Sequence, residues 1–178
     1  GSRFGAQIQY SAEGKALETA GGIAYALHLL GNEPFAVVNG DIYCNYDFAH
    51  LPDCAAALQT SGDAAHLVLV NNPPLHPNGD FHLLNGRIVP LPSPARGGGA
   101  GGEGLTTKFT FSGIGIYQPV LFTRIPRGSI APLAPLLRAQ IALGKVSGEH
   151  HHGLWADVGT PQRLAELDKE LRASHNAA

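Results

Sequence analysis

Two short apolar runs, "FAVVN" from Phe35 and "AHLVLV" from Ala65, are continuous rather than alternating. A strand of that kind is buried on both faces, so helices must cover both sides of the sheet that contains it. Helical stretches separate the runs. "AGGIAYALHLL" follows Thr19 and stops at Gly31, and Asp47 is placed to cap a helix from about Phe48 to Thr60. The alternation of β and α elements predicts an α/β domain with a mostly parallel central sheet flanked by helices. Ahead of these elements, "AQIQYS" reads as a short alternating strand.

The second half is less regular. Pro73, Pro74 and Pro77 break the chain before "DFHLL" and "GRIVPL", which read as a small β-hairpin. Residues 94–104, "PARGGGAGGEG", hold no periodic pattern and predict a mobile loop. They are not a Walker A loop, since no G-K-[ST] follows. "KFTFSGIGIY" is a long strand carrying Gly113 and Gly115, where a missing side chain permits close approach of a ligand or another backbone. "APLAPLLRAQIALG" is a helix with proline in its first turn, and "KVSGEHHHGLWADVG" holds two short strands meeting near Gly153. "TPQRLAELDKEL" is an amphipathic helix with Thr160 as N-cap and Pro161 at N1.

Composition narrows the function classes. The 178 residues carry 12 Lys and Arg against 14 Asp and Glu, with no basic stripe of the kind that phosphate-backbone binding requires, so nucleic acid is not an expected partner. No apolar run approaches the roughly 20 residues of a membrane span, and a soluble, cytoplasmic location is expected without a membrane partner. Cys44 and Cys54 fit no C-x-x-C or disulfide framework and read as reduced thiols. The sequence contains no methionine, which suggests that Gly1 is not the natural start.

Two aspartates stand out. Asp41 leaves the end of "FAVVNGD", and Asp157 ends a short apolar strand in "LWADVGTP". In an open α/β sheet, ligands bind beyond the carboxyl ends of the strands, where such side chains project. Asp41 alone reads more readily as a turn residue after Gly40. Two strand-terminal carboxylates from distant segments supply the hard oxygen ligands that Mg2+ prefers, water and phosphate completing its shell. Trp155 reads as core beneath Asp157; the tract His150, His151, His152 mimics a metal-binding pattern, but no further ligands flank it at zinc spacing and no metal site is expected there.

The motifs "ETAGGI", "VVNGD", "FTFSGIGIY" and "WADVGTPQRL", in this order over nearly the whole chain, resemble the sugar-1-phosphate nucleotidyltransferase family, which has a Rossmann-like fold. "GSRFG", "YSAEG", "NGDIYCNYDFA", "HPNGDFHL" and "SGEHHHGLWADVGTPQRL" are similar to its bacterial N-acetylmuramate 1-phosphate uridylyltransferase branch, which serves cell-wall peptidoglycan recycling. The resemblance implies one nucleotidyltransferase domain over residues 1–178, corresponding to the C-terminal three-quarters of such an enzyme without its first βα elements. It also implies UTP and a sugar 1-phosphate as substrates, with a UDP-sugar and pyrophosphate as products. Asp41 and Asp157 would be catalytic and hold Mg2+, Gly21 and Gly22 would face the nucleotide, and Gly113 and Glu149 would face the sugar. The family's N-terminal G-x-G-T-R loop and P-K-P motif are absent from these residues, so the stretch alone is expected to be inactive. Two alternatives stay open: a non-catalytic nucleotide-sugar-binding module, and a glycosyltransferase of similar fold, although the D-x-D triplet of the latter reads "DIY" here. Homo-oligomerisation is left open as well.

Overall fold

The computed structural model describes residues 1–90 and 108–175; the loop expected at 94–104 lies outside them. Its elements are α1 (Glu18–Leu30), β1 (Phe35–Val38), β2 (Ile42–Cys44), α2 (Leu51–Ser61), β3 (Ala65–Val70), β4 (Phe81–Leu84), β5 (Arg87–Val89), β6 (Lys108–Tyr117), α3 (Leu133–Ala142), β7 (Val146–His150), β8 (Trp155–Asp157) and α4 (Pro161–His175). No described helix is long and apolar enough to cross a membrane.

Six strands form one sheet in the order β1-β6-β3-β7-β5-β4, with β4 also reaching back to β6, and β2 and β8 form a separate ribbon. The α/β class and Rossmann-like architecture hold, but the pairing departs from a mostly parallel sheet. β1, β3 and β7 run in one direction, while β6 lies antiparallel between β1 and β3, leaving β3 with β7 as the one directly parallel pair among the described strands. The expected hairpin forms from β4 and β5.

β3 is the spine, with five of its six residues buried. Its alternation sorts the layers. Ala65, Leu67 and Leu69 face a core completed by Ala20, Ile23 and Ala24 of α1 and Leu133, Leu137 and Ile141 of α3. Val68 faces the other way, onto Ile114 and Tyr46, with Ile42, Cys44 and Leu51 around them. Leu67 is fully buried between sheet and helices, and truncating it to alanine costs about 2–5 kcal/mol.

Other expectations need correcting. "FAVVN" is not covered on both faces: β1 pairs only with β6 among the described strands, and Val38 is 43% exposed. The "AQIQYS" stretch forms no strand, since it finds no pairing partner there, and Tyr10 projects into solvent. α1 starts at Glu18, with Leu17 rather than Thr19 at the N-cap; the Leu17 amide donates instead to Glu13 Oε2 at 3.1 Å. Asp47 does cap, but over a short 3-10 turn at Phe48–His50 that precedes α2. β7 and β8 do not pair with each other; β7 joins β3 and β5, and β8 joins β2. Thr160 caps α4 as expected, its Oγ1 accepting from the Arg163 amide at 3.3 Å.

Candidate active site

The β2–β8 ribbon makes the site. Its register places Ile42 opposite Asp157, and the Val158 amide donates to the Asp41 carbonyl at 2.8 Å, so the two aspartate backbones are locked side by side. Their carboxylates then converge above Gly159. A Cβ on Gly159 would stand 2.9 Å from Asp41 Oδ2 and 3.1 Å from Asp157 Oδ1, which bounds the separation of those oxygens at about 6 Å. The Asp157 carboxylate is oriented from two sides: Oδ1 accepts from the Gly159 amide at 2.8 Å, and Oδ2 pairs with the Arg163 guanidinium at 2.5 Å. Arg163 sits in the first turn of α4, the end at which free N–H groups and the helix dipole favour negative charge.

Both aspartates line a cavity of about 1110 Å³ with Asn39, Gly113, Trp155 and Arg163. Pro73 to His76 form one wall, and α4 contributes Glu166 and Glu170 to another. Trp155 is half-buried rather than core, and its Nε1 donates to the Ser112 carbonyl at 2.8 Å, tying the ribbon to the main sheet. Gly113 sits in a β-bulge: the β3–β6 register shifts between Val68, opposite Ile114, and Leu69, opposite Phe111. Its φ of +84° is one that L side chains rarely adopt, and a Cβ there would meet the Asn39 side chain at 2.8 Å. The glycine is therefore required by the backbone whatever it contacts.

The remaining expected residues lie elsewhere. Gly21 is buried in the first turn of α1, its amide donating to the Ala131 carbonyl at 3.0 Å, and a Cβ would run into the Ser129 carbonyl. The Glu13 carboxylate stands over Gly22. Neither glycine lines a described cavity, whereas Glu18 and Thr19 line a smaller one of about 330 Å³ that shares Asn39 and Phe111 with the first. Glu149 is also outside the main cavity. It points from β7 toward α2 and toward Tyr46, which lies between β2 and the 3-10 turn and whose Oη donates to its Oε1 at 2.5 Å. Burial, then that hydrogen bond and charge, push the Tyr46 hydroxyl well above its usual range. Arg163 is the site residue that sequence reasoning missed; its signal was the spacing from Asp157, which puts it one helical turn past the Thr160 cap.

The donors suit a hard divalent cation. Two carboxylate oxygens face one point, and glycine leaves free the space that any other residue at 159 would fill. The His150–His152 tract does not assemble a comparable set: the His150 ring packs at a tilt 4.0 Å from those of His152 and Phe109, and His151 Nε2 bonds to Asn45 at 3.0 Å.

No family model matches the chain. An N-acetylmuramate alpha-1-phosphate uridylyltransferase of Neisseria meningitidis serogroup B is 49% identical over 172 residues, covering 93% of this chain and 68% of that protein. A protein of the same name from Caulobacter vibrioides is 32% identical over 162 residues, covering 89% of this chain and 62% of that one. Among solved structures, one assigned as a glucose-1-phosphate thymidylyltransferase of Bacillus anthracis superposes with a TM-score of 0.70 at 17% identity, over 93% of this chain and 65% of that one. A UDP-glucose pyrophosphorylase superposes with a TM-score of 0.59, over 90% and 62%. The structural likenesses establish the fold, and the chain spans about two-thirds of the length of these proteins. From the sequence identity to the Neisseria enzyme, the chain belongs to the sugar-1-phosphate nucleotidyltransferase family, as a relative of the N-acetylmuramate alpha-1-phosphate uridylyltransferases.

Proposed function

We propose that the protein joins UTP to N-acetylmuramate 1-phosphate, giving the UDP-sugar and pyrophosphate in the cytoplasmic recycling of peptidoglycan. The observation that carries this reading is the convergence of Asp41 and Asp157 over Gly159 in the wall of a cavity of about 1110 Å³, in a chain related to such enzymes. In the reaction a phosphate oxygen of the sugar attacks the α-phosphorus of UTP, a new P–O bond forms, and the α–β bridging bond breaks as pyrophosphate leaves. The attacking phosphate is largely ionised near neutral pH, its second pKa lying near 6, so no general base is required.

Asp41 and Asp157 are the residues that would hold Mg2+, which when bound neutralises phosphate charge and fixes the substrates' phosphates relative to each other. Arg163 fixes one Asp157 oxygen and leaves the other facing Asp41, so the pair is oriented before substrate arrives. The backbone at Gly113 lies in the cavity wall where the sugar ring would rest. Gly21 and Gly22 would serve the nucleotide indirectly, by letting the 129–131 backbone and Glu13 close against α1 behind Glu18 and Thr19. Glu149, directed at Tyr46 and α2, is not proposed to touch the sugar.

Residues 1–178 contain no G-x-G-T-R loop, and this favours a second reading for the stretch by itself, a domain that binds but does not turn over. The test is pyrophosphate release from UTP and N-acetylmuramate 1-phosphate with Mg2+, by the natural full-length protein and by residues 1–178. Turnover by the former alone is expected. Turnover by neither, with nucleotide sugar still bound, would favour the binding module.

A further inference from the structure

On the face of the sheet away from α1 and α3, three side chains from three elements meet under α2. They are Cys54 of α2, His66 of β3 and Glu149 of β7. One ligand-type atom from each lies within 4.8 Å of the other two. The register explains the meeting: His66 pairs with Ser147 and Val68 with Glu149, so all four side chains share one face, and Cys54 comes down from the helix above.

The histidine is already oriented. Its Nδ1 bonds to Ser147 Oγ at 2.9 Å, while Nε2 is buried with no hydrogen-bond partner and faces Glu149 Oε1 at 3.7 Å, too far for a hydrogen bond. A histidine whose other ring nitrogen is tied to a polar partner is the usual posture of a metal ligand. The facing His66, and then Tyr46, hold the Glu149 carboxyl below its usual range despite burial, whereas burial raises the Cys54 thiol.

We propose that Cys54 Sγ, His66 Nε2 and Glu149 Oε1 form a binding site for a borderline-soft divalent cation of the Zn2+ type, separate from the Asp41–Asp157 pair. Thiolate, imidazole and carboxylate are a zinc donor set, with water completing a tetrahedron. In a tetrahedron with bonds of roughly 2.0–2.3 Å the ligand atoms stand about 3.3–3.6 Å apart, so the group closes by at most about 1.5 Å. Binding releases the Cys54 proton to solvent, and the cation's two charges offset those of thiolate and carboxylate. Such an ion pins α2 to β3 and β7. The inference does not depend on the proposed reaction.

The test is Zn2+ titration of the full chain against a chromophoric chelator, with Co2+ as a spectroscopic substitute. One ion per chain is expected, with a thiolate-to-cobalt charge-transfer band, and a hundredfold excess of Zn2+ over its Kd should raise Tm by roughly 5–10 °C. Cys54→Ser and His66→Gln should each weaken binding on the order of 100-fold, and Ser147→Ala about 10-fold or more. Cys44→Ser, Asp157→Asn and the His150→Asn/His152→Asn double variant should bind as the wild type does. The cobalt band needs no variant, so its absence from the wild-type chain overturns the site even if the substitutions impair folding. Undiminished binding by Cys54→Ser, or its loss in the double variant, overturns it as well.

Discussion

Asp41 Oδ2 and Asp157 Oδ1 face each other across the bare Cα of Gly159, no more than about 6 Å apart. The geometry makes Gly159 as much a part of the site as the acids. Its φ is outside the left-handed region, so alanine fits the backbone and acts only by volume. Gly159→Ala in the full-length protein should therefore lower kcat/KM by about 10- to 100-fold, the scale of a displacement near 1 Å in a reacting site, with little change in Tm. Steady-state pyrophosphate release and a melting curve on the same sample check both halves.

Gly113 behaves differently, because both its φ of +84° and its contact with Asn39 exclude a side chain. Gly113→Ala should destabilise the fold by about 1–3 kcal/mol, lowering Tm by roughly 3–10 °C. An unchanged melting curve would mean that the β6 bulge relaxes at no cost.

Asp63 and Arg87 clip the start of β3 to β5, with a 2.5 Å ion pair; Arg87 also donates to the Gly144 carbonyl. The Arg87 guanidinium holds the Asp63 carboxyl below its usual range. A carboxylate whose folded pKa is depressed contributes stability above its unfolded pKa of about 3.9, and that contribution is lost as pH falls through the still lower folded value. Asp63→Asn should cost about 1–2 kcal/mol at pH 7, a modest figure because Arg87 is 39% exposed and solvent screens it. The difference between the two proteins in thermal melts should persist down to about pH 4 and shrink below it.

What was legible in the sequence was local or anchored to a strand end. The β4–β5 hairpin, the Thr160 cap and the full span of β6 follow from turn residues, a hydroxyl at a helix start and a run of β-formers. Asp41 and Asp157 were legible because each ends an apolar run. The insertion of β6 between β1 and β3, and the pairing of β2 with β8, depend on contacts between distant segments that no local pattern encodes. "AQIQYS" alternates as a strand should, but alternation without a neighbouring strand gives it no ladder to join. Gly21 and Gly22 show the same limit: a pair of glycines marks close approach, and the groups that approach them here are the 129–131 backbone and Glu13. The Cys54, His66 and Glu149 meeting was hidden because it rests on parallel register and on α2 lying over that face.

The central claim is that Asp41 and Asp157 together carry the nucleotidyl transfer, and kcat of Asp41→Asn and Asp157→Asn in the full-length protein tests it most directly. Asparagine keeps the size and removes the charge. With UTP, N-acetylmuramate 1-phosphate and saturating Mg2+, each substitution should lower pyrophosphate release by on the order of 10²–10³-fold, the scale of losing one charge-stabilising group in a preorganised site, while both variants melt within about 3 °C of the wild type. Wild-type turnover in either variant would contradict the account, because the reaction would then not pass between the two carboxylates that meet over Gly159.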